Sequence, residues 1–329
     1  MKVAITGGAG FLGQVLARRL LAAGELTGAS NTPEPIDEVV LFDTKIPPML
    51  LAGLDGRAEV VTGDVADARR LREVVDRDDI SLFHLASMVS AECEADFDAA
   101  LTVNLDGCRA VLEACRARGS RPRVVFTSSI AAFGGLAASE VATDSTKLTP
   151  ETTYGTTKAI CELLVNDYTR KGFIDGRVAR LPTVVIRPGR PNAAASSWVS
   201  GVFRERLNGE ECKLPVDPGT RVPIAGYRTV VENLVRLHEV DHRALGPDRA
   251  LNLPALELTA QEMIDGLLAA APGPLGPVSF RPDAAIQAIF ATWAQHASSD
   301  RAIELGLLRD SGLAEIVAAY LEDFGTGAQ

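Results

Sequence analysis

The first 24 residues constrain the fold most. A short apolar run, MKVAIT, leads directly into Gly7-Gly8-Ala9-Gly10-Phe11-Leu12-Gly13 and then into the helical pattern QVLARRLLAAG. An unbroken apolar run suits a parallel strand covered on both faces. Glycines at 7, 10 and 13 permit a tight turn, a close approach of backbone to a pyrophosphate, and tight packing of helix on strand. A helix beginning at this turn points its unpaired N–H groups at the phosphates, and Gly24 closes it. A glycine-rich turn alone is a common βα connection. Strand, turn and helix in this order predict a dinucleotide site.

The rest of the chain continues the alternation. EVVLFD forms the next strand and ends at Asp43. An acid there can bind both hydroxyls of an adenosine ribose and repels a 2′-phosphate, so it points to NAD. Lys45, close by, keeps NADP in view, and a turn or cap is the plain structural role for Asp43. The preceding ELTGASNTPEPIDE reads as a surface loop. AEVVTGD is a strand ending at Asp64, DARRLREVVD a helix and SLFHLAS a strand. A long helix over Asp96 to Arg118 carries Asn104 in its middle. The strand RVVFTSS, a helix from about Thr153 to Lys171, and the strand RVARLPTVVIRPG follow. Such alternation predicts an α/β fold with a doubly wound, Rossmann-type parallel sheet. PNAAASSWVSGVFRERLNGEECKLP reads as irregular, before the helix VVENLVRLHEV and the strand-like ALNLP. We expect residues 1–187 and about 228–253 to form the dinucleotide-binding domain. Residues 188–227 and 254–329 are then a smaller substrate-binding cap.

Composition limits the partners. The 329 residues are 47% hydrophobic, enough for a large core. A net charge of −10 argues against nucleic acid or an anionic membrane surface. No long uncharged apolar run predicts a membrane span, and the N-terminus reads as a core strand, not a signal peptide. Cysteines 93, 108, 115, 161 and 212 are scattered without a C-x-x-C pair, as expected of buried thiols in a reducing, cytoplasmic compartment. The four histidines are equally dispersed, so no metal site is predicted. His84, inside an apolar strand, reads as a packed core residue.

Tyr154 and Lys158 stand in YGTTK, 25 residues after Ser129 of FTSSIAAFG. Four residues apart on a helix, a phenol and an ammonium share one face. A free tyrosine, with a pKa of about 10, is a poor base at neutral pH. A neighbouring cation favours the phenolate, which could then take a proton from an alcohol. The pair alone also fits an ordinary amphipathic helix.

TGGAGFLG, LFD, GDVAD, FHLAS, VNLDG, FTSSIAAFG and YGTTK occur in this order along nearly the whole chain. Together they resemble the extended short-chain dehydrogenase/reductase family. The resemblance implies that Gly7, Gly10, Phe11, Leu12 and Gly13 hold the pyrophosphate of NAD and that Asp43 takes the adenosine ribose. Asp64 and Val65 would flank the adenine, and Leu85, Ala86 and Ser87 would line the nicotinamide ribose. Asn104, Pro182 and Thr183 complete the expected cofactor set, Asn104 holding a water that connects Lys158 to solvent. Tyr154, Lys158 and Ser129 would be the catalytic group, with Ser128 supporting the strand end. The resemblance further implies a homodimer using the helices near 96–118 and 154–171. The chain departs from the family pattern at Phe133, where a tyrosine is usual, and in having no carboxylate within Ser128-Ser129-Ile130, which weighs against dehydration.

RLPTVVIRPGRPNAAASSWVSG resembles one branch of that family, and the resemblance implies oxidation of a four-carbon aldonic acid, D-erythronate, at C2 to the 2-oxo acid. Arg187, Arg190, Asn192, Ser196 and Ser197 gather guanidinium, amide and hydroxyl groups beyond a strand end. A guanidinium can hold a carboxylate bidentately. Arg190 with Asn192, Ser196 and Ser129 is the expected substrate set, and Arg228 is a second candidate anchor. For each arginine the alternative is a surface ion pair. A nucleotide-sugar epimerase that keeps its NAD bound, and a silent NAD-binding protein, are the other functions such a chain could serve.

Overall fold

The computed structural model describes residues 1–46, 51–54, 56–137, 139–191 and 194–325. In chain order the principal strands are β1 Lys2–Thr6, β2 Glu38–Asp43, β3 Glu59–Thr62, β4 Ile80–His84, β5 Arg123–Ser129, β6 Asp175–Leu181, β7 Thr183–Val185, β8 Arg221–Gly226, β9 Ala250–Asn252 and β10 Leu256–Thr259. Seven of them form one sheet in the order β9-β6-β5-β4-β1-β2-β3, all parallel. The strand order reverses between β1 and β4. At such a point the flanking loops diverge and leave a crevice beyond the carboxyl ends of the strands.

Helices cover both faces, so the central strands β1, β4, β5 and β6 are almost entirely buried. Helix α1 (Phe11–Ala23) packs with α8 (Tyr227–Glu239) on one face, burying Val15, Leu16 and Leu20 against Val230 and Leu234. The other face carries α2 (Ala68–Val74), α5 (Gly107–Arg118) and α6 (Thr153–Arg170), through Leu71, Val111, Leu112 and Val165. Between α3 (Ser90–Ala95) and α5, the helical stretch opens at α4 (Phe97–Ala100) and widens into a π turn over Leu101–Asp106, with Asn104 inside it. Asp96 caps the start by accepting from the Ala99 N–H.

Two segments depart from the sequence reading. ELTGASNTPEPIDE contains a small antiparallel pair, Glu25–Thr27 with Pro33–Pro35, in place of a plain loop. The run RVARLPTVVIRPG is not one strand. β6 stops at Leu181, Pro182 cannot donate the next ladder hydrogen bond, and β7 pairs with β8 in a separate three-stranded sheet ordered β7-β8-β10. The chain therefore leaves the large sheet at Pro182, a few residues earlier than expected.

The segment read as irregular holds a helix, α7 (Ser197–Leu207), whose Trp198, Val199, Val202 and Phe203 enter a second core. That core draws on β7, β8, α9 (Ala260–Ala270) and the helix Leu313–Phe324, and its residues are distinct from those of the sheet core. Among the described residues no helix is long and apolar enough to cross a membrane.

Candidate active site

A crevice of about 760 Å³ runs along the carboxyl ends of β1, β2, β4, β5 and β6. At its centre is the glycine turn. Gly7 has φ +69°, and a Cβ there would lie 2.8 Å from the Ala86 nitrogen. A Cβ on Gly13 would sit 2.5 Å from the Gly7 carbonyl. Gly10 caps α1 without any side-chain hydrogen bond, and no acidic residue occupies the first turn. The helix N-terminus, with its partial positive charge, is thus left open toward the crevice. The Asp43 carboxylate, at the end of β2, accepts from the Ala9 N–H at 3.2 Å and the Lys45 N–H at 3.4 Å. Exposed Asp64 and buried Val65 lie on the same wall, as do Leu85, Ala86, Ser87, Pro182 and Thr183. Bare N–H groups beside a carboxylate suit a dinucleotide's pyrophosphate and ribose, so these residues fit an NAD-type cofactor.

The strand end of β5 and the first turns of α6 bring Ser129, Tyr154 and Lys158 to the same crevice. Thr152 caps α6 through the Gly155 N–H, setting the face on which residues 154 and 158 lie. Ser129 Oγ accepts from the Ala131 N–H at 3.1 Å and shares the crevice wall with the Tyr154 phenol. Lys158 is buried, donates to the Thr127 carbonyl at 2.9 Å, and lies 5.5 Å from the Tyr154 ring centre. Burial pushes the phenol up to about 12, with the nearby Ser129 hydroxyl opposing. In the protein by itself the sequence expectation of a lowered tyrosine pKa is therefore reversed. Burial also lowers the pKa of Lys158.

Behind Ser129 is a network that the sequence did not reveal. Ser128 donates to buried Glu162, whose carboxylate also takes Arg180 at 2.7 Å. Arg180 reaches the Asp144 carbonyl at 3.0 Å and lies 4.9 Å over the Phe133 ring. Phe133, the departure from the family's tyrosine, thus presents an aromatic face to a buried guanidinium.

Asn104 is not on the crevice wall. Its carboxamide accepts from Ser87 Oγ at 3.1 Å and Met88 N at 2.8 Å and donates to Thr157 Oγ1 at 3.3 Å. These bonds tie the 87–88 loop to α6, so Asn104 positions Ser87 from behind the wall. His84 is a buried core residue whose Nδ1 meets Thr6 Oγ1 at 2.6 Å. Burial, then Lys158, depresses its pKa to about 3. All five cysteines are free and buried. Among the described residues no cluster of three or more His, Cys, Asp or Glu side chains could hold a metal.

The far end of the crevice is lined by Ser90, Glu92, Arg187, Ser196, Ser200, Arg204 and Trp293. Of the expected substrate residues, Ser196 lines this end and Ser129 lines the same crevice beside Tyr154, while Asn192 lies outside the described residues. Arg190 is exposed and off the wall. Arg228 is in another place altogether. It opens α8 beside a separate pocket and pairs with Glu322 at 2.7 Å and Asp323 at 3.0 Å. Its charge is already neutralised there, which corrects the expectation that it anchors substrate. Glu92, Arg204 and Trp293 were missed because they come from distant segments with no shared motif.

A parallel doubly wound sheet, an open glycine turn and a Tyr-Lys-Ser group at one crevice define a nicotinamide-dependent short-chain oxidoreductase fold. The NAD dependent epimerase/dehydratase family model matches residues 3–240, and the chain belongs to that family. It is 46% identical over 327 residues to a D-erythronate dehydrogenase of Cupriavidus necator, spanning 99% of both chains. A D-erythronate dehydrogenase of Haemophilus influenzae is 38% identical over 323 residues, 98% of this chain and 99% of that one. Among solved structures, one described as the nucleoside-diphosphate-sugar epimerase from Agrobacterium tumefaciens superposes with a TM-score of 0.89. It is 38% identical and covers 100% of this chain and 95% of that chain.

Proposed function

We propose that the protein is an NAD-dependent dehydrogenase that oxidises a small aldonic acid at its C2 hydroxyl, with D-erythronate as substrate and 2-oxo-erythronate as product. The observation that carries this reading is a single crevice lined by Ser129, Tyr154 and Lys158 and also by the guanidinium groups of Arg187 and Arg204. The full-length likeness to two proteins described as D-erythronate dehydrogenases supports it.

Gly7, Gly10, Phe11, Leu12 and Gly13 would hold the pyrophosphate, Asp43 the adenosine ribose, Asp64 and Val65 the adenine. Leu85, Ala86, Ser87, Pro182 and Thr183 would line the nicotinamide end. When bound, NAD supplies the hydride acceptor and a positive charge that favours the phenolate. Tyr154 takes the C2 hydroxyl proton, Ser129 holds the reacting oxygen, and Lys158 holds positive charge near the phenol. Asp43 makes NAD the preferred cofactor over NADP. The chain works in the cytoplasm as a homodimer built on the helices around 96–118 and 154–170.

Incubation of the purified protein with NAD and C3–C6 aldonates tests the proposal. NADH formed at the highest kcat/KM with the four-carbon acid is expected. Interconversion of nucleotide sugars without net NADH would instead identify an epimerase.

A further inference from the structure

The crevice has two guanidinium groups on its wall, and they stand in different states. Arg204 is buried and already paired with Glu205. Arg187 is exposed toward the crevice, and its guanidinium makes no hydrogen bond or ion pair with any described residue. Its main chain, by contrast, is held at both ends. The Arg187 N–H donates to Ser200 Oγ at 3.1 Å, and its carbonyl accepts from Arg204 at 2.8 Å. Residues 200 and 204 are one turn apart on α7 and so grip both main-chain polar groups of one residue from a single helix face. α7 thereby fixes where the Arg187 side chain departs while leaving its donors unused. Partial desolvation by the crevice wall and then the neighbouring Arg204 lower its affinity for the proton, and Glu92 opposes them. Glu92 makes no ion pair with it, and instead caps α3 by accepting from the Val89 N–H at 3.2 Å.

We propose that Arg187, and not Arg190 or Arg228, is the carboxylate anchor of the substrate site, with Ser200 and Arg204 as positioning residues that hold its main chain. A planar guanidinium with all its donors unused matches a carboxylate bidentately. The location agrees, since Arg187 lines the same crevice as Ser129 and Tyr154. Arg190 is off the wall, and Arg228 is spent on two carboxylates. This assignment rests on the reading of the site as one that takes a small hydroxy acid.

The test separates the anchor from the reaction. The probe is 3,4-dihydroxybutanoate, which lacks the C2 hydroxyl and so cannot be oxidised there, compared with its neutral carboxamide. Binding is measured by calorimetry on the NADH-loaded protein. The unmodified protein is expected to bind the acid at least about tenfold more tightly than the amide, as charge-assisted hydrogen bonds require. Arg187→Gln should erase that difference, Arg187→Lys should keep part of it, and Arg190→Gln should leave it intact. NADH affinity, measured by fluorescence, should be unchanged in all three and reports that the fold is kept. If Arg187→Gln does not bind NADH, the acid-to-amide ratio of Arg187→Lys decides, and a ratio equal to that of the unmodified protein overturns the assignment. An undiminished ratio in Arg187→Gln, or its loss in Arg190→Gln, also overturns it. Acid binding through Arg187 without turnover of any aldonate would sink the proposed reaction and leave the anchor standing. Failure of the unmodified protein to bind the acid would overturn the anchor.

Discussion

Lys158 Nζ lies 5.5 Å from the centre of the Tyr154 ring, but its hydrogen bond goes to the Thr127 carbonyl and not to the phenol. The lysine therefore makes no direct bond to the phenol. With the phenol pushed up to about 12 by burial, the basic form is scarce at neutral pH. For aldonate oxidation, kcat/KM should rise from pH 7 to pH 9 by up to about tenfold per unit. Lys158→Met should move that rise to higher pH, and Tyr154→Phe should lower kcat by about 10²–10⁴-fold with NAD binding kept. Stopped-flow NADH formation against pH, with NAD titrations on each variant, checks this. A flat pH profile would mean that the base is another group.

Asp43 sits at the end of β2 with both carboxylate oxygens already oriented by backbone N–H groups. A 2′-phosphate brought to it would meet a fixed negative charge, a repulsion of roughly 1–4 kcal/mol at contact. Asp43→Ala should narrow the kcat/KM ratio of NAD over NADP by about tenfold or more. Steady-state kinetics with both cofactors decides it, and equal efficiencies in the unmodified protein would refute the preference.

Glu162 and Arg180 form a buried ion pair that also takes the Ser128 hydroxyl, next to Ser129 of the candidate site. Glu162→Ala leaves the guanidinium buried without its partner, which should cost about 3–5 kcal/mol of stability. Because Ser128 is released at the same time, kcat should fall more than the KM for NAD rises. Urea denaturation and steady-state kinetics on the same preparation measure both.

Much of this was legible in the sequence for physical reasons. The glycine turn, the apolar strands and the Tyr-Lys spacing are local patterns, and each recurs in the structure with the expected partners nearby. What was not legible depends on distant segments. Arg228 could not be distinguished from a substrate anchor because its partners, Glu322 and Asp323, lie more than ninety residues later. Arg187 and Arg190 stand three residues apart in one motif, and only the grip of α7 on residue 187 separates them. α7 itself was hidden by the small, polar residues that precede Trp198. The passage of the chain between sheets at Pro182 was masked because Val178-Ala179-Arg180-Leu181 runs on into Thr183-Val184-Val185 as one extended, strand-like pattern.

His84 and His238 are buried, and burial depresses their pKa values to about 3 and about 4. The unfolded chain, with histidines near 6.5, binds more protons than the folded one at any pH between those values and 6.5. Stability is thus full above about pH 6.5 and is lost as pH falls below it. From pH 7 to pH 5 each histidine should cost about 2 kcal/mol. His84→Gln should shrink that loss by about half of the two-histidine total. Urea denaturation at the two pH values measures the difference, and an equal loss in the variant would count against the assignment.

The most direct test of the central claim is net reduction of added NAD by D-erythronate, followed at 340 nm with protein stripped of bound nucleotide. The account predicts NADH and 2-oxo-erythronate in equal amounts, turnover that depends on added NAD, and none with Tyr154→Phe. No NADH from D-erythronate or any other small aldonate, together with interconversion of nucleotide sugars on tightly retained NAD, would contradict it.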